Sequence, residues 1–324
     1  MKTLQMLWPD VAEDHATIVV SALTLDSRLV RPGMAFVALK GHARDAREFI
    51  PAVIAAGAVA VFAERDDQWP ESRIIEGIPV IVVDALDQVV GHIAARFHDE
   101  PSQHMNVLAV TGTNGKTSVA NLLAGALTRL GDKTAVLGTI GNGMFGALEK
   151  STHTTLDALH LQAMLAGFHV DGAKAVAMEA SSHGLVQGRL NGTRIDVALF
   201  TNLTRDHLDY HGDMTGYASA KEILFRWPGL QAAVLNVDDK AGERYASVLA
   251  SNVRCLRYSQ SPDTRADIRA LRITPSLKGL SMLIAVPDGE FALDVPLLGR
   301  FNVSNILAVV GGLLALGVPT ADIA

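Results

Sequence analysis

The segment Thr111–Ser118, which reads TGTNGKTS, combines two glycines with a lysine and several hydroxyl side chains. Gly112 and Gly115 permit backbone conformations that a side chain would block, so that successive amides can face a bound anion. Lys116 would then reach the β- and γ-phosphates of a nucleotide, and the Thr117 hydroxyl would ligate Mg²⁺. The glycine spacing, GxxGK[ST], is shorter than that of the common phosphate loop, and the alternative is an ordinary Gly-rich β–α turn with a solvated lysine.

The segments around this loop predict a strand before it and a helix after it. Residues 106–110 (NVLAV) are typical of a buried strand, and residues 117–130 of a helix. Strand and helix patterns continue to alternate over residues 134–137, 156–170, 173–178, 195–201, 215–225 and 232–237. This alternation predicts βαβ units and a largely parallel sheet. Ligands bind such sheets at the carboxyl ends of the strands, where the motifs TGTNGKT, EASSH and TNLTRDH fall.

The sequence predicts two domains, and the second contains the alternating segment. Residues 1–88 are predicted to form a small α/β domain, with buried strands at 34–39, 58–62 and 79–83 and a helix at 49–56. Residues 89–324 are predicted to form the central, phosphate-loop domain. Within it, alternating segments between 268 and 296, split by Asp288-Gly289, predict an added antiparallel hairpin, and an apolar helix runs from Asn302 to about Leu316. The expected fold class is α/β, with a mostly parallel sheet in the second domain.

Composition excludes several classes of protein. The 324 residues are 49% hydrophobic and 19% charged, which is globular rather than disordered. A net charge of −6 argues against non-specific binding to nucleic acid. One cysteine cannot form an internal disulfide. The N-terminus has no signal-peptide pattern, and the longest apolar runs, 51–63 and 306–318, are shorter than the ~18 residues of a membrane span. We therefore expect a soluble cytoplasmic protein with no membrane partner.

Three further residues could carry chemistry. Glu179 ends an apolar strand pattern, AVAMEAS, and is either a Mg²⁺ ligand facing the phosphate loop or a solvated carboxylate. His207 stands between Asp206 and Asp209 in TNLTRDHLDYHG, whereas a lone histidine is more often structural than a ligand. Lys221, in YASAKEILF, is by itself a surface lysine, the usual state of this residue type.

The motif GTNGKT[ST] after a buried strand resembles the Mur ligase family and its folylpolyglutamate-synthase relatives, which join a carboxylate to an amine with ATP. The resemblance implies that Glu179 and His207 bind Mg²⁺ together with Thr117. It also implies that Lys221 is carbamylated by CO₂ and completes the metal site, and that Lys116, His207 and Lys221 are the catalytic residues. The expected ATP contacts are Gly112, Thr113, Asn114, Gly115, Lys116, Thr117, Ser118 and, from the GRFNVSN motif, Asn302.

A second resemblance concerns the segment Leu23–Lys40 (LTLDSRLVRPGMAFVALK), followed by GHARDA. It is similar to the N-terminal, UDP-binding domain of the UDP-N-acetylmuramoyl-dipeptide ligases within this family. The alternative for this segment is a plain β-hairpin and loop. The resemblance implies that the uridine nucleotide contacts Leu25, Ser27, His42, Ala43 and Arg44. The segments HTTLDAL and SSHGLVQGR imply that the muramoyl-dipeptide contacts His153, which stands where Asn is usual, and Thr154, Thr155, Ser181, Gln187 and Arg189.

The resemblance implies a complete reaction. The expected substrates are ATP, UDP-N-acetylmuramoyl-L-alanyl-D-glutamate and a diamino acid, joined through an acyl phosphate with Mg²⁺ as cofactor, in a monomer. The N-terminal motifs favour meso-diaminopimelate, with L-lysine as the alternative. The family has a third, C-terminal domain that binds the amino acid, and we expect it to be absent from these 324 residues. Two rival functions stay open: a different Mur or folylpolyglutamate-type ligase, and a fragment that binds nucleotide and UDP-sugar without catalysis.

Overall fold

The computed structural model describes residues 1–41, 44–150 and 154–324. These residues form two compact units. Unit 1 comprises Met1–Pro101, Leu156–Gly167 and Gln187–Thr193, and unit 2 comprises Ser102–Thr155, Phe168–Val186 and Arg194–Ala324. The boundary predicted between residues 88 and 89 falls inside a continuous helix, Leu86–Phe97, whereas the compact units divide after Pro101.

Unit 1 contains a small sheet with helices packed on it. Its strands are β1 Lys2–Thr3, β2 Val19–Val20, β3 Leu23–Thr24, β4 Ala35–Ala38, β5 Ala60–Glu64, β6 Arg73–Ile75 and β7 Ile78–Val83, and its helices are α1 Leu4–Leu7, α2 Ile50–Ala55 and α3 Leu86–Phe97. Short 3₁₀ turns occupy Glu13–His15, Ser27–Leu29 and Ala46–Phe49, and a fourth, Pro101–His104, begins at the last residue of this part of unit 1. The main sheet has the order β3-β4-β5-β7-β6, parallel except for β6. Strand β4 is buried on both faces, as parallel strands usually are.

The pairing of β3 with β4 decides between the two interpretations of Leu23–Lys40. Leu23 lies opposite Ala35 and Thr24 opposite Phe36, and the two strands run parallel. A parallel pair needs a crossover rather than a tight turn, and the residues between these strands include the 3₁₀ turn Ser27–Leu29. The β-hairpin interpretation is therefore wrong.

Unit 2 is built on a larger mixed sheet. Its strands are β8 Asn106–Thr111, β9 Thr134–Leu137, β10 Asn142–Met144, β11 Ala147–Glu149, β12 Ala175–Glu179, β13 Val197–Phe200, β14 Ala232–Asn236, β15 Arg254–Ser259, β16 Ile268–Ser276, β17 Gly279–Val286 and β18 Gly289–Val295. The helices are α4 Lys116–Arg129, α5 Ala158–Val170, α6 Ser182–Val186, α7 Leu208–His211, α8 Met214–Phe225, α9 Lys240–Ser247, α10 Phe301–Ala315 and α11 Thr320–Ile323. Helix α5 belongs to unit 1 up to Gly167, and only its last three residues are assigned to unit 2.

The strand order confirms the predicted fold class. The sheet runs β11-β10-β9-β12-β8-β13-β14-β15-β16-β17-β18, and the strands from β9 to β16 in this order are parallel. The hairpin predicted at Asp288-Gly289 is present, with Val286 opposite Gly289 across β17 and β18. The sequence analysis missed two features. Strand β15 has two arginines among its six residues, and the antiparallel β10–β11 hairpin has only three residues in each strand, one of them a glycine.

The burial of helix α10 explains why its sequence is apolar on all sides. It shares one hydrophobic core with α4 and with the strands of unit 2. A Cβ atom at Gly311 would lie 2.5 Å from Cγ1 of Val234, and one at Gly312 would lie 2.8 Å from Cδ2 of Leu123. The two glycines therefore let the helix approach both the sheet and α4 closely. Among the described residues, no helix combines the length and apolar character that crossing a bilayer requires.

The register of the central strands brings three motifs to one edge of the sheet. Strand β8 lies between β12 and β13. Glu179, the last residue of β12, is opposite Val110, and Phe200, the last residue of β13, is opposite Thr111. The loops that follow these three strands therefore begin side by side at the carboxyl edge, as the sequence predicted.

Candidate active site

The turn between β8 and α4 requires glycine at two positions. Gly112 and Gly115 have φ angles of +146° and +89°. A Cβ atom at Gly112 would lie 1.9 Å from Oγ1 of Thr201, and one at Gly115 would lie 2.5 Å from Oδ1 of Asn305. Both glycines are thus needed for backbone conformation and for space. The packed turn differs from an ordinary surface loop, and Asn305 is a neighbour that the sequence analysis did not identify.

Two amides of the turn are bonded to the strand-end loop after β13. The N–H of Thr113 donates to the backbone oxygen of Asn202 over 2.8 Å, and the N–H of Asn114 donates to Oδ1 of the same residue over 3.0 Å. The expectation that successive amides face an anion is therefore wrong for these two. Val119 donates to the carbonyl of Gly115, so the amides of the first turn of α4, which lack helical acceptors, remain the candidates for binding a phosphate.

Two lysines meet beneath the turn. Nζ of Lys116 donates to the carbonyl oxygens of Gly112 and Thr113, both over 2.9 Å. Nζ of Lys221 donates to the same oxygen of Gly112 over 3.0 Å and lies 4.3 Å from the centre of the Tyr217 ring. Lys221 is only 1% exposed. The interpretation of Lys221 as a surface lysine, made from the residue alone, is wrong.

The charge state of Lys221 follows from this environment. Burial lowers the pKa of its ammonium group from 10.5 to about 7, with a further lowering by the nearby positive charge of Lys116 and an opposing effect of Asp206. Burial also lowers the pKa of Lys116, against the attraction of Glu179 and Asp206. Burial thus favours the neutral amine of Lys221, which is the form that can act as a nucleophile.

The spacing of helix α8 explains how Lys221 becomes buried. Its buried side chains recur at helical spacing and include Tyr217, Ala218, Ala220, Lys221, Leu224 and Phe225. Lys221 is thus part of the face that packs inward. This periodicity is visible in YASAKEILF and was the signal that could have identified Lys221 as buried without any resemblance.

Glu179 lies directly beside the phosphate loop. Its carboxylate is 2% exposed, and Oε1 accepts hydrogen bonds from the Thr117 hydroxyl over 2.9 Å and from the Thr139 N–H over 2.7 Å. The Thr139 hydroxyl donates to Oε2 over 3.3 Å. A Cβ atom at Gly138 would lie 2.3 Å from Oε1, so this glycine makes room for the carboxylate. The interpretation of Glu179 as a solvated strand-end glutamate is therefore wrong, and Gly138 and Thr139 are positioning residues that the sequence analysis missed.

Three of the residues predicted to contact the muramoyl-dipeptide join this network. The hydroxyls of Thr155 and Ser181 lie 2.9 Å apart, and Thr155 also donates to the backbone oxygen of Glu179 over 3.3 Å. The hydroxyl oxygens of Thr139 and Thr154 lie 3.1 Å apart, within hydrogen-bond distance. Thr139 thus links the carboxylate of Glu179 to the segment that begins at Thr154.

His207 belongs to a cluster of aromatic and imidazole rings. It has a φ of +51° and its ring lies 4.9 Å from that of His183 and 6.1 Å from that of Tyr217. Nε2 of His211 lies 2.9 Å from Oγ of Ser182. Burial lowers the pKa of His211, and the positive charges of His183, Lys221 and His207 lower it further. The cluster therefore stands beside Lys221, and burial favours the neutral form of His211 within it.

The oxygen donors of Thr117 and Glu179 fit a magnesium ion, because hard divalent cations prefer carboxylate and hydroxyl oxygens. Their hydrogen bond brings the two donors together at the first turn of α4. Within residues 1–41, 44–150 and 154–324, no group of three or more His, Cys, Asp or Glu side chains could hold a metal by itself. A metal ion bound here would therefore need the hydroxyl of Thr117 as well as the carboxylate of Glu179.

Asn302 is buried at the start of α10 and is connected to the phosphate loop through Asn305. Its Nδ2 donates to the carbonyl of Leu298 over 2.9 Å, and its Oδ1 accepts from Nδ2 of Asn305 over 3.0 Å. Asn305 in turn packs against Gly115. The pair therefore ties α10 to the turn, while the predicted contact of Asn302 with adenine stays a prediction.

A separate cavity of about 860 Å³ lies within unit 1. Leu25, Ser27 and Arg44, three of the residues predicted to contact a uridine nucleotide, line it, together with Asp157 and His160. Its size is that of an ordinary small-molecule site. The structure thus brings together residues that are up to 19 positions apart in the predicted UDP-binding segment.

A buried ion-pair network supports the segment next to Arg44. The guanidinium of Arg47 contacts Asp45 over 2.5 Å and Asp66 over 2.6 Å, and donates to the backbone oxygen of Glu64 over 2.8 Å. These contacts hold the pKa of both aspartates below the usual range. Arg44 itself lies over the Phe49 ring, 4.3 Å from its centre.

The remaining predicted residues are placed as follows. Gln187 and Arg189 lie in the 187–193 segment of unit 1, and Ser118 lies in the first turn of α4. His42, Ala43 and His153 lie outside the described residues. The roles of all these residues, and of the other predicted ligand contacts, stay predictions.

Comparison with known proteins gives the class to which this fold and site belong. The description "Mur ligase middle domain" matches residues 110–313, and "Mur ligase family, catalytic domain" matches residues 19–98. The first match alone covers more than half of the chain. The chain therefore belongs to the Mur ligase family, as its motifs predicted.

Comparison with individual proteins is more specific than the family descriptions. The chain is 46% identical over 323 residues to a UDP-N-acetylmuramoyl-L-alanyl-D-glutamate–2,6-diaminopimelate ligase of Pseudomonas aeruginosa, covering 99% of this chain and 64% of that protein. It is 42% identical over 307 residues to the protein of the same name from Coxiella burnetii, covering 94% and 62%. A solved structure of a ligase with this name superposes with a TM-score of 0.89 at 35% identity, covering 99% of this chain and 65% of that one. The chain thus spans just under two thirds of the length of each.

Proposed function

We propose that this protein is an ATP-dependent ligase that joins meso-diaminopimelate to UDP-N-acetylmuramoyl-L-alanyl-D-glutamate. The observation that carries the proposal is the network in which Thr117 of the phosphate loop, Glu179 and the Thr155–Ser181 pair are linked by hydrogen bonds. It connects the proposed nucleotide site to residues of the proposed dipeptide site within unit 2. The names of the relatives from Pseudomonas and Coxiella support the choice of substrates.

The proposed chemistry begins with transfer of a phosphoryl group. An oxygen of the glutamate side-chain carboxylate attacks the γ-phosphorus of ATP, the bond to the β-phosphate oxygen breaks, and an acyl phosphate and ADP result. An amine of the diamino acid then attacks the acyl carbon, loses a proton and expels phosphate, which leaves an amide. Activation is required because a carboxylate is a poor electrophile.

The residues of this chain would contribute mainly by positioning and charge stabilisation. The first-turn amides of α4 and the ammonium group of Lys116 would bind the β- and γ-phosphates and neutralise the charge that develops during transfer. Lys116 can reach a phosphate by exchanging its carbonyl acceptors in the turn for phosphate oxygens. Thr155 and Ser181 would orient the muramoyl-dipeptide so that its carboxylate lies in line with the γ-phosphorus.

Thr117, Glu179 and His207 are the proposed protein ligands of Mg²⁺, which when bound supplies further charge neutralisation at the phosphates. We propose that Lys221 is the fourth contributor, as a carbamate. Its neutral amine can attack the carbon of CO₂ and lose a proton, which replaces a cation with an anion bearing two oxygen donors. The burial and lowered pKa of Lys221 support this modification, because only the unprotonated amine reacts.

Residues 19–98 favour a Mur ligase over a folylpolyglutamate synthase. Folylpolyglutamate synthases are not expected to carry the Leu23–Lys40 segment, and here it lines a cavity within unit 1. UDP-N-acetylmuramoyl-L-alanyl-D-glutamate should therefore raise the melting temperature of the protein, and folates should not. Stabilisation by folates alone would favour the rival assignment.

The decisive experiment measures ADP release in a coupled assay with ATP, UDP-N-acetylmuramoyl-L-alanyl-D-glutamate and each of two diamino acids. Release that requires all three substrates and prefers meso-diaminopimelate to L-lysine supports the proposal. Preference for L-lysine would replace the proposed amino acid. Binding of both nucleotides without ADP release under any combination would assign the chain as a binding module.

We also propose that the protein is a cytoplasmic monomer, since ATP and a UDP-linked sugar are the proposed substrates and every residue proposed to bind them comes from one chain. The net charge of −6 supports small-molecule partners rather than nucleic acid. Size-exclusion chromatography with light scattering tests the oligomeric state, and a mass twice that of the 34.4 kDa chain would contradict a monomer.

A further inference from the structure

An aspartate–histidine pair that the motifs did not single out lies in the unit 1 cavity. Oδ2 of Asp157 is 2.6 Å from Nδ1 of His160, and both residues line the cavity of about 860 Å³ with Leu25, Ser27 and Arg44. Oδ1 of Asp157 accepts hydrogen bonds from the backbone amides of Leu159 and His160, each over 3.1 Å. One carboxylate therefore caps helix α5 and orients an imidazole at the same time.

The bond to Asp157 determines which imidazole nitrogen can meet a ligand. Nδ1 carries its proton toward the carboxylate, so Nε2 is the nitrogen available to a group in the cavity, and in the neutral ring it is an acceptor. The side chain of His160 is 72% exposed, and that of Asp157 is 41% exposed. The pair is thus held in one orientation by its own helix, yet it is open to a molecule that enters the cavity.

We infer that the Asp157–His160 pair recognises the nucleoside half of a uridine diphosphate ligand, with Nε2 of His160 accepting a hydrogen bond from a ribose hydroxyl or from the imide N–H of the base. The inference rests on the proposed function, since that function supplies the UDP-linked substrate. It adds a specificity-determining residue to the predicted contacts at Leu25, Ser27 and Arg44.

The distribution of charge in the cavity favours the nucleoside over the diphosphate. The carboxylate of Asp157 beside His160 would repel phosphate oxygens, whereas hydroxyl and imide donors match an imidazole acceptor. Two guanidinium groups line the same cavity, those of Arg28 and Arg44, with side chains 85% and 69% exposed. Arg28 forms a close pair with Asp26 over 2.6 Å, whereas Arg44 has only a 4.0 Å contact with Glu48, so Arg44 is the cation better suited to the diphosphate.

The test is calorimetric titration of the 324-residue chain with UDP and with UMP. We expect His160→Ala to weaken the binding of both nucleotides by the same factor, about five- to ten-fold, the effect of one net hydrogen bond. Asp157→Asn should weaken both by a smaller factor, because asparagine still caps α5 but no longer fixes the imidazole. His169→Ala, an exposed histidine at the other end of the same helix, is the matched control and should bind like the unmodified chain.

The outcomes separate this inference from the proposed function. If the unmodified chain binds UDP and UMP and His160→Ala binds both with unchanged affinity, this inference is overturned and the proposed function is not. A loss confined to UDP would place His160 at the β-phosphate and would overturn it too. Failure of the unmodified chain to bind UDP, UMP and the UDP-linked substrate would remove the proposed function as well. A melting temperature of Asp157→Asn equal to that of the unmodified chain excludes misfolding as the cause of a loss.

Discussion

The side-chain ammonium groups of Lys116 and Lys221 donate to the same oxygen atom, the carbonyl of Gly112, over 2.9 and 3.0 Å. One lysine comes from the phosphate loop and the other from helix α8, far later in the chain. Burial disfavours the charged form of both ammonium groups, and the nearby positive charge of Lys116 further disfavours that of Lys221. The pKa of Lys221 therefore falls to about 7, and its amine is available for chemistry near neutral pH.

The first prediction concerns Lys116→Ala. Removing the ammonium group should lower ATP-dependent ligation by about 100-fold or more, because a charge aimed at the transferring phosphoryl group is lost. Binding of the UDP-linked substrate in the unit 1 cavity should change little. The two quantities are measured by ADP release and by calorimetry on the same preparation. Lys278→Ala, at the exposed β16–β17 turn, is the control, and near-normal turnover of Lys116→Ala would exclude the phosphate-loop assignment.

The second prediction concerns the pH dependence of stability. The pKa of Lys221 is about 7 in the folded protein against an ordinary value of 10.5, so between these values the unfolded chain binds more protons at this position. Stability contributed by this group therefore rises with pH between about 7 and 10.5, by at most about 1.4 kcal/mol per pH unit, and is constant below 7. Lys221→Met has no titrating group at this position and should not show this rise. The free energy of unfolding of the variant should therefore exceed that of the unmodified chain most at about pH 7, and the difference should shrink toward about pH 9.

Urea unfolding of both proteins in bicarbonate-free buffer measures this difference. Lys278→Met, which changes an exposed lysine, should track the unmodified chain at every pH. Parallel stability curves for Lys221→Met and the unmodified chain would contradict a lowered pKa at this position. Intact-mass measurement in bicarbonate buffer then tests carbamylation, with Lys221→Met as the variant that cannot be modified.

The third prediction concerns the Thr117–Glu179 contact. Glu179→Gln keeps the size of the side chain but removes the negative charge beside the phosphate loop. We expect ligation to fall by about 100-fold, and the Mg²⁺ concentration needed for half-maximal activity to rise, because an amide is a poorer ligand than a carboxylate. A Mg²⁺ titration of ADP release measures both effects. Glu149→Gln in strand β11 is exposed and should behave normally; an unchanged Mg²⁺ requirement in Glu179→Gln would count against the metal role.

The fourth prediction compares two Gly→Ala substitutions. At Gly138 the new Cβ would lie 2.3 Å from Oε1 of Glu179 and must displace that carboxylate. Gly138→Ala should therefore lose activity in the way that Glu179→Gln does, with a weaker response to Mg²⁺. Gly167 lies within helix α5 with nothing within 4 Å of the added atom. Gly167→Ala should keep full activity and gain about 0.5–1 kcal/mol of stability. Equal activities of the two variants would contradict the positioning role of Gly138.

Much of unit 2 could be predicted from the sequence because its signals are local. The buried strand at 106–110, the glycine-rich turn and the helix after it are successive in the chain, and the structure has them within one or two residues. The Asp288-Gly289 hairpin is likewise a property of neighbouring residues. Strand β15 was missed because charged residues interrupt its apolar pattern and because helix α9 separates it from its pairing partner β14. The β10–β11 hairpin was missed because each of its strands has only three residues and β10 contains a glycine.

The chemical types of the site residues, and their placement at strand ends, were determined by the sequence itself, since a phosphate loop and a strand-end carboxylate are patterns of adjacent residues. Tertiary structure alone decided which of these groups touch. The Thr117–Glu179 bond, the two lysines on Gly112 and the meeting of Asp157 with Leu25 and Arg44 in one cavity join distant segments. Burial, which sets the charge of Lys221, is a property of the packed sheet and helices and has no counterpart in an isolated stretch of chain.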